Sequence, residues 1–425
     1  AVLLLIAAVA YFFATPPNTI VLKKDGFHPR TLTVDAGTRI TFVNKSGKYF
    51  WPASDFHPTH TLYSAFDAKE PLASGASWSF TFTDPGTYPF HDHLAAYFGG
   101  IVRVKDAVGA VPDNCTKNGG NFTCWQNEIS LALAEGDVDA AYDEIARLYA
   151  EEPAFASSCH TIAHNIGLQS YQLYLRNPSA ILSPKAVACG AGFYHGFMEG
   201  LFGASGDAKE AAAVCDDIGE ALSTESPDAR LQCFHGIGHG AMETAVAATG
   251  VFTTVDEMVD AARATCEAAS EGTEERYRCV SGLYNSIANF YQSKSYGLTL
   301  EKADPFLVCS RQPDVYKEPC YGNMNSVAMW AGGGNFAKAA QFILSIPDAP
   351  ERSKAIEYLS GMSAIPHLHD TEFSKEVQAC RQLGSPYVLP CIRGFAHGML
   401  EHGSPGKEYE QALLFCAEPT LRTDE

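Results

Sequence analysis

Cys233-Phe-His235-Gly-Ile-Gly-His239-Gly-Ala-Met-Glu243 is one copy of a unit that the chain repeats. Cys189-Gly-Ala-Gly192-Phe-Tyr-His195-Gly-Phe-Met-Glu199 and Cys391-Ile-Arg-Gly394-Phe-Ala-His397-Gly-Met-Leu-Glu401 share its frame, Cys-x2-Gly-x2-His-Gly-x2-Glu. Cys279-Val-Ser-Gly282-Leu-Tyr-Asn285-Ser-Ile-Ala-Asn289 keeps the spacing with Asn at both polar positions, and Cys320-Tyr-Gly322-Asn-Met-Asn325 and Leu359-Ser-Gly361-Met-Ser are weaker relatives. Starts at 189, 233, 279 and 320 are 44, 46 and 41 residues apart, the period of an αα-hairpin repeat. Flanking runs such as Val138–Tyr149 and Val255–Arg263 carry helical patterning, so residues 126–425 read as an all-α repeat domain.

The cysteines follow the repeat. All 13 lie between Cys115 and Cys416, with no CxxC pair of the kind zinc fingers use. Motif cysteines have upstream partners at separations of 18, 13, 11 and 11 residues: Cys215 for Cys233, Cys266 for Cys279, Cys309 for Cys320 and Cys380 for Cys391. Cys115 with Cys124 and Cys159 with Cys189 complete six expected bridges, each closing a short loop and contributing roughly 2–4 kcal/mol through the unfolded chain. Cys416 is left in the upstream position of a hairpin whose downstream cysteine does not follow.

His and Glu four residues apart share one face of a helix. His195/Glu199, His239/Glu243 and His397/Glu401 are such pairs, and His160/His164 has the same spacing, with His235 beside them. Helical bundles build carboxylate and imidazole metal sites from inward-facing side chains of this type. In a closed toroid the pairs converge on one metal or acid/base centre. In an open solenoid they lie along a groove, roughly 10 Å apart by the helix-packing distance, and can line a binding site; the competing expectation is a buried seam between hairpins, in which His and Glu hydrogen-bond each other or the next repeat's backbone. His367, His369 and His402 fall outside the frame and are expected on the surface or in loops.

The region before the first cysteine is of another kind. Short β-rich runs, Thr19–Leu22, Thr31–Val34, Arg39–Val43, Ser77–Phe82 and Gly100–Val104, are separated by turn signals and argue a β-sandwich over 18–106. Charge divides in the same way: residues 1–108 hold 9 Lys+Arg against 8 Asp+Glu, and the remainder 21 against 41. With a net charge of −19, nucleic acid and anionic membrane surfaces are excluded as partners, since either requires a basic face. Residues 1–17 begin with 13 apolar residues, too few for a span of roughly 20. They are expected to be the remainder of a signal peptide or membrane anchor, and residues 107–125 a linker carrying Cys115 and Cys124. Disulfides downstream agree with an extracytoplasmic, oxidising location.

Gly26-Phe-His28-Pro-Arg-Thr-Leu-Thr-Val34-Asp-Ala-Gly37, Ile40-Thr-Phe-Val-Asn44 and Phe80-Thr-Phe-Thr-Asp-Pro-Gly86-Thr-Tyr88 resemble the cupredoxin family over nearly the whole segment. The resemblance implies a Greek-key sandwich with copper held by a His from the loop after the Asn strand and by ligands from the loop after Gly-Thr-Tyr. That last loop, Tyr88-Pro-Phe-His91-Asp-His93-Leu-Ala-Ala-Tyr97-Phe-Gly-Gly100, lacks the Cys and Met usual in the family, so a type 1 blue site is not expected. The two loops instead supply His57, His60, His91 and His93. Residues 91 and 93 of a strand point to one face, and neutral imidazoles suit Cu(II) or Zn(II), with copper favoured on intrinsic affinity. The competing expectation is a sandwich without metal; Trp51 is expected to serve packing.

The fold class is therefore multidomain, β then α: a cupredoxin-like sandwich followed by disulfide-stapled αα-hairpin repeats. The leading functional expectation is an exported copper protein acting in electron transfer or copper handling with a redox partner protein, its membrane contact limited to the N-terminal anchor. Two alternatives stay open: a metal-dependent enzyme, such as an oxidoreductase, with a second metal at a His/Glu centre of the helical domain, and a helical binding scaffold with a cupredoxin accessory. Gly-x-Ser-x-Gly, P-loop and HExxH motifs are missing from the sequence, which removes those catalytic routes.

Overall fold

The computed structural model describes residues 17–55, 60, 62–111, 121–249, 254–293 and 298–422. His57, Cys115 and residues 1–16 lie outside them, and with these the anchor assignment; no helix among the described residues is long and apolar enough to cross a membrane. Contacts divide the chain into two units, before and after Glu135.

The first unit is a sandwich of two four-stranded sheets. One sheet has the order β2 (Gly26–His28), β1 (Thr19–Lys23), β4 (Arg39–Asn44), β6 (Ser77–Thr81); the other runs β3 (Thr31–Asp35), β8 (Ala95–Lys105), β7 (Gly86–Asp92), β5 (Pro52–Ser54). Parallel pairing of β1 with β4 and of β3 with β8 ties non-consecutive strands together. Alternation along β4 sends Ile40, Phe42 and Asn44 inward, each fully buried. Phe42 meets Phe90 edge-on at 5.2 Å and Phe66 at 5.4 Å, forming an aromatic core directly beneath the loops that carry the histidines. Asn44 closes the strand without an unpaired group: its amide donates to Lys48 O and Leu72 O, and its carbonyl accepts from Ser46 N and Oγ. The loop leading toward His60 thus starts from a fixed point. Helix α1 (Asn121–Glu135) groups with this unit, Asn127 Nδ2 donating to Thr87 O of β7, so the helical repeats begin about one helix later than the sequence boundary at 126.

The second unit is all-helical: α2 (Val138–Glu151), α3 (Ala156–Tyr174), α4 (Gly192–Ser205), α5 (Ala208–Ala221), α6 (Ala229–Thr249), α7 (Val255–Ala269), α8 (Thr273–Ser293), α9 (Leu307–Ser310), α10 (Asp314–Asn323), α11 (Asn325–Ala331), α12 (Phe336–Leu344), α13 (Ala349–Ala364), α14 (Ser374–Gln382), α15 (Val388–His402) and α16 (Glu408–Cys416). Helices α3, α4, α6, α8, α10, α13 and α15 form an inner layer in which each packs on the next. The repeat glycines make that packing possible. A Cβ on Gly196 of α4 would lie 1.9 Å from His164 O of α3, and one on Gly238 of α6 would lie 1.9 Å from Cys279 O of α8. At these crossings the helices touch backbone to backbone, nearer than any side chain permits.

At the end of the array α15 returns to the beginning. Gly190 N donates to Glu401 O at 3.1 Å, and Tyr149 OH to His402 O at 2.7 Å. The repeats therefore close on themselves rather than running on as an open solenoid. Five of the expected disulfides join the cysteines named for them, Cys159–Cys189, Cys215–Cys233, Cys266–Cys279, Cys309–Cys320 and Cys380–Cys391, at Cα separations of 5.4 or 5.5 Å. The last four each fasten a helix to the inner helix that follows it. Cys124 is also disulfide-bonded, and Cys416 is a free, exposed thiol.

Two outcomes are expected. Thiol titration of the unfolded, unreduced protein yields one thiol per chain, and Cys416→Ser yields none. Gly196→Ala forces α3 and α4 apart and destabilises the helical unit by about 1–3 kcal/mol, read as a lowered thermal midpoint.

Candidate metal centres

The first group of histidines stands at one end of the sandwich. His91 lies on β7, where it pairs with Ala53 of β5 and Gly99 of β8, and the register shifts between His91 and Asp92. His93 follows the strand, its N–H donating to Trp51 O at 2.7 Å. His60 arrives from the opposite loop with φ of 52°, in the left-handed region that non-glycine residues seldom occupy. Its side chain shows what holds it there: His60 Nδ1 is 3.0 Å from Asp67 Oδ2, and Nε2 is 2.9 Å from His93 Nδ1. One ring nitrogen from each of His60, His91 and His93 falls within 4.8 Å of the others.

Carboxylates orient this set. Asp55 Oδ1 is 2.9 Å from His91 Nδ1, and Asp67 holds both His60 and, through Oδ1 at 2.6 Å, the indole Nε1–H of Trp51. The Trp51 ring lies 4.6 Å from that of His93, so the tryptophan walls the histidine group as well as packing. Asp92 sits between the ring-bearing residues but turns away from them. It is buried and accepts from Trp51 N and Leu94 N, which joins the two loops. Burial raises its pKa to about 6 against those hydrogen bonds. Burial, followed by the neighbouring His60 and His91, pushes His93 down to about 4, leaving a neutral ring able to donate a lone pair. For Asp67, burial acts upward but is outweighed by the hydrogen bonds from Trp51 and His60, so it stays a carboxylate. Of the four residues expected here, three come together; His57 lies outside the described residues.

The second group belongs to the helical unit and spans three inner helices: His160 and His164 on α3, His195 and Glu199 on α4, His235 and His239 on α6. Of the expected i,i+4 pairs, His195/Glu199 does not close within its own helix. Glu199 instead bonds His164 Nε2 across the α3–α4 contact at 3.0 Å and lies 3.5 Å from His239 Nδ1 across the α4–α6 contact. Glycine packing brings side chains of adjacent helices nearer than the next turn of the same helix. The His195 ring stacks on His239 at 4.4 Å and lies 4.7 Å from His235 and 5.0 Å from His160.

The electrostatics divide this group into two parts. Burial lowers His164, but the attraction of Glu199 and then Glu243 outweighs it, holding His164 above the usual imidazole range and Glu199 below the usual carboxylate range. The other rings are held neutral. Burial lowers His195 and His235 strongly and His160 to about 3, and lowers His239 despite Glu199.

The third repeat pair does not join them. His397 is 69% exposed and lies 4.0 Å from Glu401, whose own contribution to the array is its backbone carbonyl. The expected convergence of His195, His239 and His397 therefore fails at its last member, and the fourth repeat carries Asn285 and Asn289 instead. His402, expected on the surface, is the residue of α15 that reaches the group: its ring is 6.2 Å from His160, and burial lowers its pKa. Ser286, bonded through Oγ to His239 Nδ1 at 3.0 Å, was also not legible as a site residue. The signal was its position, since it replaces the glycine that follows the motif His in the other copies. His367 and His369 lie in the surface segment expected of them, His367 bonding Asp370 at 2.8 Å.

Residues 1–103 match the family model of the cupredoxin-like domain, and the N-terminal unit is such a domain; the helical unit matches no family. No curated protein matches the chain. Among solved structures, the chain is similar to a purple cupredoxin from Nitrosopumilus maritimus, at 19% identity over 20% of this chain and 98% of that one, with a TM-score of 0.19. It is similar to an oxidized amicyanin variant at 21% identity, over 23% of this chain and 89% of that one, with a TM-score of 0.20. A Cu-containing nitrite reductase from Thermus scotoductus is 22% identical over 22% of this chain and 23% of that one, with a TM-score of 0.18.

Asp67 is the shared acceptor of Trp51 and His60. Asp67→Ala leaves both donors unpaired and is expected to cost about 1–3 kcal/mol, measured as a lowered thermal midpoint of the metal-free protein.

Proposed function

We propose that the N-terminal unit binds copper through His60, His91 and His93 and acts in electron transfer or copper handling with a redox partner protein, in an oxidising compartment outside the cytoplasm. The observation that carries this reading is the meeting of three imidazoles at one end of a cupredoxin-like sandwich, each within 4.8 Å of the others. The donor set fits the ion. Imidazole nitrogens suit Cu(II), and first-row affinities for such a set peak at copper. Asp55 and Asp67 each occupy the Nδ1 of a candidate ligand, the outer-sphere arrangement that fixes a metal-bound histidine's tautomer and orientation. Copper, when bound, supplies a one-electron couple; the protein holds the rings in place, keeps His93 neutral and walls one side with Trp51.

The last loop contains no cysteine, so no thiolate is available to the ion. Copper bound here therefore lacks the intense thiolate-to-copper charge-transfer absorption of a blue site. Oxidising surroundings follow from the disulfides, which persist in exported proteins and are rare where thiol reductants act.

Copper analysis and electron paramagnetic resonance of the full chain test the reading. His91→Gln with His93→Gln is expected to remove one copper per chain and the corresponding nitrogen-coordinated signal. Unchanged copper content and spectrum in that variant would falsify the assignment.

A further inference from the structure

The helical unit contains a second histidine group whose chemistry the copper reading does not use. His195 and His239 are 4% and 2% exposed, and His195 Nδ1 and His239 Nε2 are buried without a hydrogen-bond partner. A structural seam would pair these atoms, because a buried polar nitrogen without a partner forfeits its hydration for nothing. Half-buried His235 supplies a third ring. One nitrogen each from His195, His235 and His239 lies within 4.8 Å of the others.

The surroundings of His239 set the direction of its lone pair. Ser286 Oγ is 3.0 Å from Nδ1, and Glu199 Oε1 is 3.5 Å from the same atom. Glu199 is itself held by His164 at 3.0 Å. With Nδ1 engaged by the carboxylate, the proton belongs there and Nε2 carries the bare lone pair. This carboxylate–histidine order is the one that orients metal-bound imidazoles. His195 comes from α4, with Gly196 in the contact with α3, and His235 and His239 flank Gly236 and Gly238 of α6. The rings therefore ride on the closest backbone contacts of the array.

We propose that His195, His235 and His239 form a second metal site, in the helical unit, for a divalent first-row transition ion such as Zn(II) or Cu(II). Three neutral nitrogen donors suit these ions, and coordination by three protein ligands leaves a position open for water or substrate. Glu199 and Ser286 are positioning residues, acting on the ion through His239.

The test uses the full chain carrying His91→Gln and His93→Gln, so that the site of the first unit contributes nothing and the two proposals fail separately. Co(II) is the probe because nitrogen coordination gives it visible absorption. One Co(II) per chain is expected, displaced stoichiometrically by Zn(II), and lost when His195→Gln and His239→Gln are added. Ser286→Ala keeps all three rings and is expected to weaken binding by about tenfold to a hundredfold, so a folding failure of the ligand variant does not remove the test. Absence of Co(II) binding in the starting variant overturns the proposal. Binding that survives loss of both His195 and His239, or unchanged affinity in Ser286→Ala, overturns it equally.

Discussion

The histidine-bearing part of the helical unit depends on one constraint: α3, α4, α6 and α8 approach until the backbone of one touches the backbone of the next, and only glycine at the crossing allows it. A Cβ at Gly167, Gly196, Gly238 or Gly282 would fall 1.9 Å from a carbonyl oxygen of the neighbouring helix. At such separations, side chains one turn from the crossing meet those of the adjacent helix. Glu199 therefore bonds His164 and approaches His239 rather than its own helix's His195. The histidine group and the burial of its rings are consequences of that spacing. Four of the disulfides add to it by fastening α6, α8, α10 and α15 each to the helix before it.

The sandwich reaches a comparable result by other means. Its sheets supply a rigid aromatic floor, and the loops above are tied by polar side chains that leave little freedom: Asn44 at the head of one, Asp92 bridging both, Asp67 joining Trp51 to His60. Three rings are thus held in a set that the backbone alone would not impose, one of them at a φ that only such contacts sustain. Removing a carboxylate from this arrangement loosens a ring and also strands its donor.

Much of this was legible in the sequence because it was written in spacing. The Cys-x2-Gly-x2-His-Gly-x2-Glu frame located the helices, and the five described bridges joined the cysteines that the frame paired. The turns and β-rich runs before Cys115 located the sandwich. What spacing could not convey was partner choice across helices. His195/Glu199 looks like a chelating pair on one helix, and the exchange of partners follows from crossing distances that no single helix encodes. His397 and His402 are the clearest case. The first keeps the motif and faces solvent, whereas the second lies outside the motif and is half-buried, its ring 6.2 Å from that of His160. Closing the array turns α15 so that its end, rather than its motif face, meets the first inner helix.

The distribution of cysteine constrains the metal chemistry open to both units. Every described cysteine except Cys416 is oxidised in a disulfide, and Cys416 is exposed on α16. The sandwich has no cysteine at all. Soft thiolate coordination is therefore closed to either histidine group, and nitrogen with a few oxygens is what remains. Such sets favour borderline divalent ions over Cu(I) or iron–sulfur chemistry. They also tolerate the oxidising surroundings that the disulfides require, since imidazole does not compete with sulfur for oxidant. Sulfur carries the covalent framework of the repeats and nitrogen is left available as a donor, so the two roles do not compete for the same residues.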